Sequence, residues 1–346
     1  MTPHRFRELT GRYADLRIAI VGDFSLDRYL EIDPARTERS IETGLEVFNV
    51  VRVRAQPGAA GTILNNLCAL GVGAIYPVGF CGLDGEGFEL RAALQAKPGV
   101  RIDHFLQTRE RCTFTYCKPL LMARGRPPRE LNRLDRKNWT PTPGGVQRRL
   151  VESLHAVAAE VDAVILMDQV DLAETGVVTR KVLTGVRTVS RRRPELPIIA
   201  DSRRGLHPFP PVIYKMNATE LRAMTGGRAK LTPATAQNQA ARLAQATGRQ
   251  VFVTLAEQGI VGADPDGRTV HQPAWPVRGP IDIVGAGDSV TGNLAAALAA
   301  GARLDEAITF ANAAASIVIH QLGTTGTATV TQLATKLRLP HDSGSN

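Results

Sequence analysis

Residues 282–288 read Asp-Ile-Val-Gly-Ala-Gly-Asp, and a helical pattern rich in alanine follows at once. Gly285 and Gly287 let the backbone turn tightly and aim its N–H groups one way. Those groups meet the positive end of the next helix dipole. Together they make a place for an anion, such as a phosphoryl group in transit. Asp288 stands beside that place, where a carboxylate can take the proton of an attacking hydroxyl. Val290, Leu294 and Leu298 give the helix one apolar face and Gly301 stops it. On spacing alone a plain helix cap fits as well, because Asp is favoured near helix starts.

A turn of this kind needs rigid elements on either side. Residues 17–22 (RIAIVG), 74–79, 163–167, 197–200 and 251–254 are short apolar runs rich in branched residues and read as buried parallel strands. Helical stretches lie between them, including 65–70, 147–160 and 234–247. Strand and helix alternate, so a mostly parallel sheet covered on both faces is predicted. Two segments break the rhythm. Residues 29–53 and 111–135 alternate apolar and polar side chains and read as short antiparallel strands inserted into the α/β frame, able to pair as a lid.

The bulk properties exclude several function classes. The chain has 346 residues, is 43% hydrophobic and 22% charged, and suits a folded α/β protein. Its net charge of +9 comes from scattered arginines. The tight run Arg191-Arg192-Arg193 precedes Pro194 and reads as a solvated helix end. No nucleic-acid-binding motif accompanies it, so nucleic acid is not an expected partner. Cys68, Cys81, Cys112 and Cys117 form no Cys-x-x-Cys pair and have no histidine cluster beside them, so reduced thiols are expected rather than zinc. The first eleven residues lack an apolar signal core, and no apolar run reaches membrane-spanning length. A cytoplasmic location is the expectation.

The Gly-Ala-Gly-Asp turn, with Asp282 three residues before Gly285, resembles the second signature of the ribokinase-like (PfkB) carbohydrate kinases. Other segments resemble that family in the same order. Lys215–Glu220 (KMNATE) resembles its Asn-x-x-Glu motif, 253–259 (VTLAEQG) its nucleotide strand and turn, and 311–315 (ANAAA) its late helix. Near the front, 21–27 (VGDFSLD), 57–71 (PGAAGTILNNLCALG) and 79–87 (GFCGLDGEG) resemble the first strand, the first signature and a glycine-rich turn. The likeness covers about residues 16–335. Within the family it is greatest to the heptose-7-phosphate kinase domain.

The resemblance implies a three-layer α/β/α ribokinase-like fold with a small β lid. The core would be 1–28, 56–110 and 136–340, the lid 29–55 and 111–135, and the tail 341–346 flexible. It implies transfer of the ATP γ-phosphate to a sugar-type hydroxyl, with Asp288 as base and the amides of Gly285, Ala286 and Gly287 as anion hole. Asn217 and Glu220 would help place magnesium through water. Thr254, Gly259, Asn312 and Gly323 would lie at the nucleotide, and Asp27, Gly58, Thr62 and Asp168 at the acceptor. Asp282 would border a monovalent-cation site, possible with potassium, although Ile283 and Val284 replace the usual hydroxyl residues. Lids of this kind often pair between subunits, so a homodimer is expected.

The departures cluster on the acceptor side. Ala59 replaces the second glycine of the first signature, Thr62 stands where an Asn would bind sugar, and 168–171 (DQVD) lacks a nearby lysine. Ala256 replaces a glycine on the nucleotide side. A retained phosphoryl transfer with an altered acceptor follows. Arg36, Arg39, Arg52, Arg54, Arg111, Arg124, Arg126, Arg129, Arg133 and Lys118 in the lid segments favour an anionic acceptor such as a sugar phosphate. The alternatives are a catalytically weak sugar- or nucleotide-sensing protein on the same fold, or a nucleoside kinase.

Overall fold

A computed structural model of the chain describes residues 1–226 and 231–339. The tail assigned to 341–346 lies outside the described residues. In chain order the strands are β1 (Arg17–Gly22), β2 (Phe24–Ile32), β3 (Glu38–Arg39), β4 (Glu46–Val47), β5 (Val50–Ala59), β6 (Ala74–Gly82), β7 (Phe105–Thr108), β8 (Phe114–Leu121), β9 (Arg129–Glu130), β10 (Leu134–Arg136), β11 (Ala163–Asp168), β12 (Ile198–Ser202), β13 (Ile213–Asn217), β14 (Val251–Thr254), β15 (Ile260–Ala263) and β16 (Thr269–Gln272). The helices are α1 (Pro3–Gly11), α2 (Ala60–Ala69), α3 (Gly85–Gln95), α4 (Gly144–Ala158), α5 (Arg180–Arg192), α6 (Ala218–Thr225), α7 (Pro233–Thr247), α8 (Ala286–Ala299), α9 (Leu304–Val318) and α10 (Val330–Lys336).

Nine strands form the large sheet in the order β16-β15-β14-β13-β12-β11-β1-β6-β7. Pairing is parallel from β14 through to β7 and antiparallel at β15 and β16. The central strands are apolar on both faces because both faces are covered. In β1, Ile18 and Ile20 belong to the core that includes α2, α8 and α9, whereas Ala19 and Val21 belong to the core that includes α4, α5 and α7. This is the three-layer arrangement that the alternating pattern predicts. Helix α2 begins at Ala60, five residues before the segment read as helical, and its whole first turn is buried. Its contact with α8 is close because Gly292 there has no side chain: a Cβ would lie 3.3 Å from that of Asn66.

The second sheet has the order β10-β8-β2-β5, with β9 also on β8. It corrects one expectation. The inserted strands are not all antiparallel: β2 pairs antiparallel with β5 but parallel with β8 over Ser25–Ile32. Residues 60–113, with α2, β6, α3 and β7, form the crossover that parallel pairing requires. Strands β3 and β4 pair only with each other. Strand β2 starts two residues after β1, so one continuous stretch of chain passes from the large sheet into the second.

Arg191 and Arg192 end α5, as the basic run suggests, and the Arg193 guanidinium donates to the Ala158 and Val161 carbonyls. Among the described residues no helix is long and apolar enough to cross a membrane.

Candidate active site

Three pieces of backbone converge where β12, β13 and α8 begin or end. Gly285 adopts φ 81°, ahead of α8, a conformation open to glycine. Ile283 O accepts from Ala286 N and Gly285 O from Ser289 N, which starts the helix. The Ala286 N–H, expected in the anion hole, is spent on the bond to Ile283 O, so the first-turn N–H groups that remain for an anion are those of Gly287 and Asp288. Asp288 lies in this turn and is half-buried. Burial, then the nearby Asp201 carboxylate, pushes its pKa up to about 7, with Lys215 acting in the opposite direction.

Ala286 and Gly287 help line a cavity of about 690 Å³. Asn217, Thr254, Gly259, Trp275 and Asn312 line the rest, among others. Four of the residues assigned to the nucleotide and metal are therefore brought to one cavity: Asn217, Thr254, Gly259 and Asn312. Asn312 is buried, and its amide donates to Pro273 O at 2.8 Å. Thr254 Oγ1 donates to Met216 O at 3.4 Å. Glu220 does not line the cavity, and neither does Gly323. The latter sits in an exposed turn after α9 at φ 72°.

Asn217 and Glu220 form a capping box at the start of α6. Asn217 Oδ1 accepts from Thr219 N and Glu220 N, and Glu220 Oε2 accepts from Asn217 N at 2.7 Å. Burial raises the Glu220 pKa, with Asn217 N–H and Lys215 opposing. Asp282 Oδ1 accepts from Val284 N at 3.0 Å, and Ile283 and Val284 are exposed.

Of the residues expected at the acceptor, Asp27, Gly58 and Thr62 are placed by the second sheet and α2. Asp27 on β2 is buried and pairs with Lys118 Nζ of β8 at 3.1 Å; Lys118 also reaches the Tyr29 hydroxyl. Asp27 is close enough to Asp288 to act on its ionisation. Gly58 packs against Asp27 so tightly that a Cβ would fall 2.2 Å from Asp27 Oδ1. Thr62 is buried, with its methyl 3.5 Å from where a Gly285 side chain would begin. Asp168 stands apart. It is fully buried, accepts from Ser202 Oγ at 2.7 Å and Arg204 Nη2 at 2.8 Å, and neighbours Asp23, whose carboxylate takes the N–H groups of Gln169, Val170 and Val177.

Several of the lid arginines offered for an anionic acceptor have other partners. Arg36 pairs with Asp33, Arg54 with Glu31 and Arg133 with Asp135, while Arg111 donates to the Thr140, Pro141 and Thr175 carbonyls. Lys118 is one lid cation that does reach a residue expected at the acceptor, Asp27.

Both alanines that replace family glycines keep a glycine-like backbone. Ala59 has φ 54° and ψ −119°, and Ala256 has φ 51°. L-residues pay for such angles by steric contact with their own Cβ. Ala59→Gly is expected to raise unfolding stability by about 1 kcal/mol. Denaturant titration checks it; a variant less stable than wild type shows that the site is unstrained.

One residue of this site escaped the sequence reading. Lys215 is buried on β13, its Nζ 2.7 Å from Asp201 Oδ2, and Asp201 also accepts from Thr291 Oγ1 at 2.8 Å. Lysine directly before the Met-Asn start of α6 was the available signal, together with Asp201 at the end of the preceding strand.

A mostly parallel sheet between helical layers, with a small second sheet, is the ribokinase-like fold. Arabidopsis thaliana ribokinase complexed with ribose and ATP matches it with a TM-score of 0.65 at 19% identity, over 94% of this chain and 99% of that one. Escherichia coli phosphofructokinase-2 in complex with potassium matches with a TM-score of 0.70 at 19% identity, over 93% and 98%. Residues 209–331 match the pfkB family carbohydrate kinase model. The bifunctional protein HldE of Azorhizobium caulinodans is 31% identical over 313 residues, which is 89% of this chain and 61% of that protein. HldE of Bradyrhizobium sp. is 29% identical over 337 residues, 97% and 66%. The chain thus carries a domain of the pfkB family of carbohydrate kinases. It spans less than two thirds of the length of those two relatives.

Proposed function

We propose that this chain transfers the γ-phosphoryl group of ATP to a hydroxyl of a sugar or sugar phosphate. The single observation that carries this is Asp288, half-buried and raised to about 7, in the first turn of a helix whose glycine turn helps line the large cavity. ATP lies along the cavity with its base towards Asn312 and its phosphates at Gly285–Gly287. The acceptor sits between Asp27 and Asp288. Asp288 takes the hydroxyl proton as the oxygen forms its bond to the γ-phosphorus, and the bond from that phosphorus to the β-γ bridging oxygen breaks to leave ADP. The loop N–H groups receive the charge that gathers on the phosphoryl oxygens.

Asn217 and Glu220 suit magnesium held through water. Their polar atoms are largely engaged in the capping box, and the described residues contain no cluster of three or more acidic, His or Cys side chains for a direct cage. Bound there, magnesium would neutralise phosphate charge. A monovalent cation beside Asp282, and a homodimer through the second sheet, belong to the same reading. The dimer is supported by β5, an edge strand with Val50, Val51 and Val53 exposed.

The decisive test is an ATP-turnover screen against neutral sugars, their phosphate esters and nucleosides at two salt levels. Turnover with a sugar or its ester, abolished in Asp288→Asn, supports the proposal. Preference for the neutral sugar without salt dependence removes the anionic acceptor. ATP binding without turnover on any acceptor would support the sensing alternative, which the tied-up Asp168 also favours.

A further inference from the structure

We infer that Lys215, held by Asp201, is a positioning residue for phosphoryl transfer: its ammonium is the cation against which Asp288 ionises at the mouth of the anion-binding turn. The inference rests on Asp288 being the base.

The pair is built rather than incidental. Lys215 and Asp201 come from neighbouring parallel strands, β13 and β12, and both side chains are buried. Their 2.7 Å contact is reinforced by Thr291 Oγ1, which donates to the same Asp201 oxygen from the second turn of α8. The pair is thereby tied to the helix that carries Asp288. On the other side, Lys215 Nζ lies 3.2 Å from where a Gly287 side chain would begin. A side chain at 287 would meet the ammonium, so the glycine gives the cation its approach to the turn.

A buried ion pair is weak evidence for stability, since desolvating two charges can exceed their attraction. Its placement is better explained by the field at Asp288. The charged groups acting on that carboxylate come from three elements: Asp201 on β12, Lys215 on β13 and Asp27 on β2. Asp27 is itself paired with Lys118 of β8, and Glu220 of α6 acts on Lys215. Two carboxylates therefore disfavour ionised Asp288, and Lys215 opposes them. Without it, the base would sit protonated over more of the neutral range.

This makes a prediction with a sign. In protein labelled with carboxyl-13C aspartate, the Asp288 resonance is assigned by its loss in Asp288→Asn and titrated directly. Lys215→Met is expected to move its midpoint up by about one pH unit, Asp201→Asn to move it down, and the double variant to fall between them. The acid limb of kcat/KM should follow the same order. Lys215→Met should lose roughly tenfold in turnover at pH 7 and recover most of it at pH 9, with ATP affinity nearly unchanged. A purely structural pair would lower turnover equally at every pH and leave the midpoints in place, which would overturn the inference. Should Lys215→Met fail to fold, Asp201→Asn and the double variant, which leaves no buried charge unpaired, still give the comparison. The resonance titrates whether or not an acceptor is turned over. A chain without kinase activity would thus fail the functional proposal by turnover, and this inference would be judged by the midpoints alone.

Discussion

Asp288→Asn is expected to lower kcat by roughly 10²–10⁴-fold while ATP affinity stays near that of wild type. The amide keeps the shape at the start of α8 but cannot take the acceptor proton. Single-turnover kinetics and a separate ATP titration would measure the two effects; more than about a tenth of wild-type turnover would remove Asp288 as the base. The same carboxylate sets a pH dependence. Its folded pKa of about 7 means that kcat/KM for the free enzyme should rise with pH up to about 7 and then level off. For stability the sign is opposite. A carboxyl raised above its unfolded value favours folding fully below the unfolded pKa, and that contribution is lost as pH climbs through the folded pKa. Above pH 7, therefore, Asp288→Asn should be slightly more stable than wild type, as denaturation at pH 6 and pH 8 would show.

Gly58→Ala is expected to reduce kcat/KM for the acceptor by roughly a hundredfold, with the KM for ATP little changed. The added methyl would meet both Asp27 Oδ1 and Ser25 Oγ, at 2.2 and 2.7 Å. Asp27 is buried and paired with Lys118, so it has little room to yield. Displacing it by an ångström spoils the acceptor's approach without touching the cavity on the other side of the turn. An equal loss in ATP binding would mean that the strain spreads through α2 into the Gly285 turn, and that Asp27 is not specifically an acceptor residue.

The frame of this fold is legible in local pattern. Residues 17–22 and 251–254 read as buried strands because branched apolar runs of that length have few other uses, and the Gly285–Asp288 turn is visible because its glycines precede an alanine-rich helix. What local pattern does not carry is pairing between distant segments. The parallel register of β8 on β2 depends on a crossover of more than fifty residues, so the inserted strands look like hairpins when read one at a time. Lys215 was missed for a related reason. A lysine in an apolar strand reads as surface until its partner is known, and Asp201 lies 14 residues away on the next strand. The Asn-x-x-Glu segment shows the opposite limit. Its residues form the very capping box that would make them unremarkable, and only the place of Asn217 on the cavity wall and the nearby charges of Lys215 and Asp201 point further.

Asp27 stands on a strand of the second sheet, whereas Asp288 and its glycine turn belong to the layer packed on the large sheet. The two halves of the site therefore sit on separately supported surfaces. On the proposed reading, sequence drift on the second sheet can retune what is held at Asp27 while the machinery at α8 keeps its geometry. The continuous passage from β1 to β2 limits that freedom at one place: Asp23, buried and gripped by three backbone N–H groups, ties the root of the second sheet to the first. A lineage of such chains would be expected to diversify most in the outer reaches of β2 and β5, and least at this root, so that new acceptors could be tried without rebuilding the catalyst.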